Sequence, residues 1–155
     1  IHFQKLTERF RYHYLAKDHE LDLFVGIREL LESLRADKYL LGVATGKSRV
    51  GLDRSLKYHQ IGHLFHETRT ADESFSKPHP GMLLELSDVT QVPTRRILMI
   101  GDTTHDLDMA SNAGVDAVAV TYGAHPPETL KTSKSLAHVN DVPQLSSWLK
   151  ENLIA

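Results

Sequence analysis

The sequence predicts an α/β domain built on a parallel sheet, and two features of the chain indicate this fold class. Short, continuously apolar segments alternate with amphipathic segments, which is the pattern of parallel strands joined by helical crossovers. Asp102 follows one of the apolar segments after a single glycine, and open α/β sheets bind their ligands at the carboxyl ends of the strands. With 155 residues, the chain has the length of one domain.

The individual elements follow from the spacing of apolar residues and from turn signals. Recurrence every three or four positions predicts helices over 4–18, 25–35, 49–58, 81–88, 107–113 and 142–153. Apolar runs predict strands over 39–45, 97–100 and 116–121, and a more polar edge strand within 61–70. Prolines mark the loop over 72–80, and a second loop over 123–127 precedes a short helix.

Composition excludes several classes of protein. The absence of cysteine rules out a disulfide scaffold, a zinc ribbon and a thiol nucleophile, and it agrees with a cytoplasmic location. The formal charge of −2, with interspersed signs, argues against a nucleic-acid partner. No apolar run approaches the ~20 residues of a membrane span. The chain starts at Ile1 rather than Met, so we expect a fragment or a processed product with site residues upstream.

The segment around Gly101 carries the strongest chemical signal. The apolar strand over 97–100 ends in Gly101, Asp102 stands at its carboxyl end, and Asp106 falls in the first turn of the next helix. Two carboxylates at the same end of the sheet offer hard oxygen ligands, which suit Mg²⁺. An Asp after a strand is about as often a helix N-cap, so this segment alone leaves both readings open.

Two more strand-end features fit a phosphate group. Thr45 ends a predicted strand and Gly46 follows it, so a hydroxyl and a backbone amide are available to phosphoryl oxygens. Lys77 precedes Pro78, which biases it to an extended conformation and keeps it out of a helix. A lysine aimed into the site would offset charge on a transferring phosphoryl group. Taken singly, Thr45 and Lys77 are better explained as solvated loop residues.

Three segments together resemble the second, third and fourth motifs of the haloacid dehalogenase superfamily of phosphohydrolases, and most closely its phosphoglycolate-phosphatase-like branch. They are Val43–Lys47, Ser76–Gly81 and Ile100–Asp106. The resemblance runs from about Leu21 to the C-terminus. It implies a three-layer, Rossmann-like core over 21–155, preceded in 1–20 by the remnant of a helical cap.

The resemblance also implies roles for the strand-end residues. Thr45 and Gly46 would bind the phosphoryl group, Lys77 would steady phosphate and nucleophile, and Asp102 with Asp106 would serve Mg²⁺. Thr45, Lys77 and Asp102 would thus be the catalytic residues. The implied activity is Mg²⁺-dependent hydrolysis of a small phosphorylated metabolite, with phosphoglycolate as the family-based candidate, through an aspartyl-phosphate.

One departure from the family pattern changes the expectation for this chain. Family members begin with an apolar strand ending in Asp-x-Asp, which supplies the nucleophile, and no such segment is present here. The resemblance places that strand in the middle of the sheet, so we expect the central strand to be absent and the chain alone to be inactive. The gap would close, or an oligomer or a retained N-terminal fragment would fill it. The alternative function is a catalytically dead phosphate- or partner-binding module.

Other patterns point to less specific roles. Gly46-Lys47-Ser48 is not a P-loop, because Gly42 precedes it by three intervening residues instead of four. The spacing of three histidines would suit a metal, but a solvated surface next to an edge strand is expected for them: His59, His63 and His66. His79 and His105 lie beside the proposed site in sequence, with no role assigned.

Overall fold

A six-stranded parallel sheet organises the chain, in the order β3-β2-β1-β4-β5-β6. The structure is a computed structural model that describes residues 5–8, 26–121 and 134–153. The strands are β1 (Lys5–Glu8), β2 (Leu40–Thr45), β3 (Glu67–Thr70), β4 (Ile97–Gly101), β5 (Asp116–Val120) and β6 (Ala137–Val139).

In the described ranges, four helices lie between successive strands from β1 to β5, and a fifth follows β6. They are α1 (Ile27–Ala36), α2 (Arg49–His59), α3 (Gly81–Thr90), α4 (Thr104–Ala113) and α5 (Val142–Asn152), with 3₁₀ turns at Gly62–Leu64 and Thr94–Arg96. Every helix in the described ranges falls short of the length and apolar character needed to cross a membrane.

Two apolar clusters cover the two faces of the sheet. Helices α1, α2 and α5 pack with Leu98 and Ile100 on one face, whereas α3 and α4 pack with Ile97 and Met99 on the other. Successive residues of a strand point to opposite faces, so one buried strand serves both clusters. The predicted α/β class and its three layers are therefore confirmed.

Most predicted elements lie within a few residues of the observed ones. The polar segment in 61–70 forms β3, which is at the edge of the sheet as expected. The sequence gives no signal for β6, because three residues are too few to show a pattern. The short helix predicted after the loop over 123–127 lies outside the described residues.

The predicted helix over 4–18 is wrong at residues 5–8, which form β1 in the centre of the sheet. Lys5 lies opposite both Leu40 and Ile97, so β1 occupies the position that we expected to be empty. Its sequence, Lys-Leu-Thr-Glu, has one apolar residue, whereas a central parallel strand is usually apolar throughout. Backbone pairing with β2 and β4 has therefore prevailed over the helical spacing of apolar residues in this segment. Residues 9–20 lie outside the described ranges, and a cap remnant there stays a prediction.

Candidate active site

The carboxyl ends of the parallel strands bring the candidate residues to one edge of the sheet. Thr45 ends β2 and lies opposite Thr70, which ends β3. Asp102 follows β4, two strands away from β2 across β1. All three are polar, yet Thr45 and Asp102 are 1% exposed and Thr70 is fully buried. Buried polar groups gathered at this edge are typical of a binding site in an open α/β sheet.

Asp106 organises the turn that presents Asp102. Its Oδ2 accepts hydrogen bonds from the backbone amides of Asp102 at 3.1 Å and Thr103 at 3.2 Å. Thr103 Oγ1 in turn accepts from the Asp106 amide at 3.1 Å, which completes a capping box at the start of α4. Because Asp106 is fully buried, this short network fixes the backbone on both sides of the Asp102 side chain.

Lys77 reaches the same network from the loop between β3 and α3. Its Nζ forms an ion pair with Asp106 Oδ1, and the two side chains are 7% and 0% exposed. Asn112 of α4 donates from Nδ2 to the Pro78 carbonyl at 3.0 Å, so α4 contacts this loop at a second point. The structure thus brings Lys77 into the same network as Asp102 and Asp106, from which it is distant in the sequence.

Gly101 permits the close packing of this turn. A Cβ atom at position 101 would lie 2.4 Å from the Cβ of Asp106, closer than two carbon atoms can approach. From the sequence alone, Gly101 is predicted only to be a turn residue. Its second role, leaving room for Asp106, could not be inferred without the fold.

Thr45 and Gly46 lie at the same edge, at the end of β2. The amide of Lys47 donates to Thr45 Oγ1 at 3.1 Å, which occupies an acceptor position and leaves the hydroxyl hydrogen for another acceptor. Gly46 is exposed, with no atom within 4 Å of the place a Cβ would take. A phosphoryl group would have space here; the phosphate-binding roles of both residues stay predictions.

Asp106, one of the two predicted magnesium ligands, already has both side-chain oxygens in contact with protein groups. Asp106 uses one oxygen for Lys77 and the other for two amides, so it supports the site through its neighbours. The magnesium-binding roles of Asp102 and Asp106 both stay predictions. Among the described residues, no group of three or more His, Asp or Glu side chains could hold a metal. One carboxylate with water and phosphate oxygens is an arrangement that Mg²⁺ accepts, so these residues fit a partial site.

Arg49, the first residue of α2, forms a second polar network at this edge. Its backbone amide donates to both oxygens of Asp72, at 3.1 and 3.2 Å. Its guanidinium makes a bidentate pair with Glu73, at 3.1 Å from Nε and 2.6 Å from Nη2. It also contacts Asp53 and Thr68. The start of α2 is therefore tied to the loop that leads from β3 to Lys77.

These contacts shift the pKa of Arg49, Asp72 and Glu73 in the direction of the ionised form. Hydrogen bonds from the Thr70 hydroxyl and from the Arg49 amide lower the pKa of the exposed Asp72 carboxyl. Bidentate donation from Arg49 lowers the pKa of Glu73. The same contact raises the pKa of the Arg49 guanidinium. These three groups are therefore charged at neutral pH.

The histidines near the site have mainly structural contacts. His79 Nδ1 accepts from the amide of Gly81 at 2.9 Å, and its ring stacks on Phe75 with centroids 4.2 Å apart. His105 is exposed in the first turn of α4. His63 and His66 are exposed as expected, whereas His59 is buried, which corrects the surface assignment for that residue.

Comparison with known proteins gives a consistent family. Residues 2–120 match the model described as haloacid dehalogenase-like hydrolase. A phosphoglycolate phosphatase of Aliivibrio fischeri is 32% identical over 128 residues, 81% of this chain and 56% of that protein. One from Mannheimia succiniciproducens is 34% identical over 121 residues, 77% of this chain and 54% of that protein. The chain spans about half the length of these curated relatives.

A solved structure agrees with the sequence relatives. The crystal structure of a predicted phosphoglycolate phosphatase from Haemophilus somnus 129PT matches with a TM-score of 0.79 at 28% identity, covering 90% of this chain and 62% of that one. The parallel sheet and its covering helices are therefore shared with a solved protein of similar sequence.

Proposed function

Because the chain belongs to the haloacid dehalogenase-like hydrolase family, we propose that the full-length gene product is a Mg²⁺-dependent phosphatase of small phosphate monoesters. Phosphoglycolate is the first substrate to test, since the similar proteins carry that activity in their names. The observation that supports the proposal most strongly is the buried Lys77–Asp106 ion pair, held against the turn of Asp102 at the strand ends.

Each residue at this edge has a distinct role in the proposal. The Lys77 ammonium offsets negative charge on the phosphoryl group, and Asp106 keeps that ammonium charged and in place. The Thr45 hydroxyl and the Gly46 amide donate to phosphoryl oxygens. Asp102 would hold Mg²⁺, which when bound supplies Lewis-acid stabilisation of the phosphate charge.

The nucleophile is the part of the proposal that the described residues do not supply. An aspartyl-phosphate requires an aspartate at the end of the central strand, whereas β1 ends in Glu8 and is followed by no Asp-x-Asp motif. We therefore expect the 155-residue chain to be inactive by itself.

The composition of β1 also supports a second candidate function. Its sequence, Lys-Leu-Thr-Glu, completes the sheet without an aspartate. If the full-length product has no Asp-x-Asp motif either, the same edge would bind phosphate or a phosphorylated partner without hydrolysis.

Phosphate release and phosphate binding, measured together, separate the two functions. The full-length gene product should hydrolyse phosphoglycolate or an aryl phosphate with Mg²⁺ and stop when EDTA removes the metal. Binding of inorganic phosphate without turnover of any monoester would support the binding module instead. The 155-residue chain, shown by intact mass to be free of other fragments, should release no phosphate. Robust turnover by that sample would contradict the assignment of the nucleophile.

A further inference from the structure

We propose that Arg49 is a positioning residue for the reaction, holding the loop that carries Lys77 against the loop that follows Thr45. This inference rests on the phosphatase function proposed above. Arg49 follows Thr45 by four residues, and its acidic partners Asp72 and Glu73 precede Lys77 in the loop between β3 and α3. Arg49 thus bridges two segments that the proposed reaction needs at a fixed separation.

The guanidinium of Arg49 is fully used in this bridge. Its five N–H donors each have an acceptor: Nε and one Nη2 hydrogen on Glu73, the other Nη2 hydrogen on the Thr68 carbonyl at 3.2 Å, and the Nη1 hydrogens on Thr68 Oγ1 at 2.7 Å and Asp53 at 3.1 Å. A lysine ammonium is a compact charge with three donors and cannot reproduce this forked geometry. The site therefore requires the shape of arginine as well as its charge.

The loop held by Arg49 has further anchors close to Lys77. Ser74 donates to Glu85 Oε2 at 2.7 Å, and Glu85 Oε1 accepts from Arg69 at 3.1 Å. Beyond Lys77, Asn112 holds the Pro78 carbonyl. Lys77 therefore lies between anchored residues on both sides. The Arg49 contacts connect this loop to the segment that follows the end of β2.

Because the side chains of the Arg49 network are partly exposed, we expect the network to affect turnover more than stability. The side chains of Arg49 and Glu73 are 31% and 40% exposed, and ion pairs with this exposure contribute little to stability. A displacement of about 1 Å in a reacting group can nevertheless lower turnover by about 100-fold. A positioning role for Arg49 therefore predicts a loss of turnover that exceeds any loss of stability.

Arg49→Lys in the full-length gene product tests this, with Arg28→Lys as the matched control. Arg28 holds the opposite end of α2, donating to the carbonyls of His59 and Gln60, and contacts neither loop of the site. Both variants should lower Tm by similar, small amounts. Only Arg49→Lys should reduce kcat, by about 10- to 100-fold, with KM changed less than about threefold. Equal kcat in the two variants would overturn the proposal.

Amide hydrogen exchange gives a readout that does not depend on activity. Exchange across residues 71–77 should be faster in Arg49→Lys than in the wild type and unchanged in Arg28→Lys. Glu73→Gln, which keeps the side-chain shape, should reproduce the faster exchange if Arg49→Lys folds poorly. An inactive wild type with this exchange pattern would refute the proposed phosphatase while leaving the bridge intact. Unchanged exchange in both Arg49→Lys and Glu73→Gln would refute the bridge itself.

Discussion

Helices α2 and α4 begin at the same edge of the sheet, but their first turns are capped in different ways. At α4 the cap is local and buried: Thr103 and Asp106 satisfy each other's backbone amides within four residues. At α2 the exposed Ser48 accepts from Gly51, and Asp72 from a loop 23 residues beyond Arg49 accepts from the Arg49 amide. The buried local cap should govern stability, whereas the exposed remote cap should govern the relative placement of two loops.

The largest expected effect is the loss of stability when the buried Lys77–Asp106 ion pair is broken. Asp106→Asn keeps the side-chain shape but leaves the Lys77 ammonium buried without its counter-charge. We expect the free energy of unfolding to fall by about 3–5 kcal/mol in urea denaturation. Asp108→Asn, on the same helix and half-buried, is the control and should change it by less than about 0.5 kcal/mol. Equal stability of the two variants would show that the pair is not structural.

Two glycines test whether close packing is confined to the α4 side. Gly101→Ala places a Cβ 2.4 Å from that of Asp106, so the turn must shift, at a cost of about 1–3 kcal/mol in unfolding free energy. Gly46→Ala meets no atom within 4 Å and should stay within about 0.5 kcal/mol of the wild type. Thermal and urea unfolding of both variants measure the difference. A tolerated Gly101→Ala would mean that the turn is looser than described.

Removal of each local cap compares the two helix starts directly. Thr103→Ala loses a buried cap hydrogen bond and should lower the free energy of unfolding by about 1–2 kcal/mol. Ser48→Ala loses an exposed one and should cost about 0.5–1 kcal/mol, since water and Asp72 remain near the α2 amides. A larger loss at Ser48 than at Thr103, measured by urea denaturation, would reverse the proposed contrast.

The smallest effect expected is a pH dependence of the α2 network. The folded-state pKa values of Asp72 and Glu73 lie below their ordinary values, so around pH 4 the unfolded chain binds more protons. Their contribution is complete at neutral pH and is lost as the pH falls below about 4 toward the folded-state values. The stability difference between wild type and Asp72→Asn should therefore shrink as pH falls from 6 to 3.5, roughly. A constant difference would contradict the shift for Asp72.

The fold could be predicted largely from the alternation of apolar strands and amphipathic helices. Strands such as β4 are apolar throughout, and both of their faces are covered, so the sequence carries the signal for three layers. β1 and β6 were missed because each is only a few residues long and is defined by backbone pairing with neighbours distant in sequence. Spacing within so short a segment cannot report that pairing.

Site residues could be predicted where a polar residue follows the end of a strand. Contacts that depend on packing between side chains could not be predicted as well. Lys77 and Asp102 were placed at one edge by the direction of the parallel strands. Three features of the site depend on contacts that form only in the folded chain. They are the contacts of both Asp106 oxygens, the close packing of Asp106 against Gly101, and the bridge from Arg49 to Glu73. Such contacts leave no periodic pattern in the sequence.

Metal dependence at Asp102 tests the central claim most directly. Hydrolysis of an aryl phosphate should be measured over a range of Mg²⁺ concentrations for the full-length wild type, Asp102→Asn and the control Asp108→Asn. Asn keeps the shape at position 102 but removes the charge that would hold the cation. We expect Asp102→Asn to lose Mg²⁺-dependent turnover and Asp108→Asn to retain it. Wild-type turnover by Asp102→Asn at the same Mg²⁺ concentrations would contradict the assignment of the metal ligand.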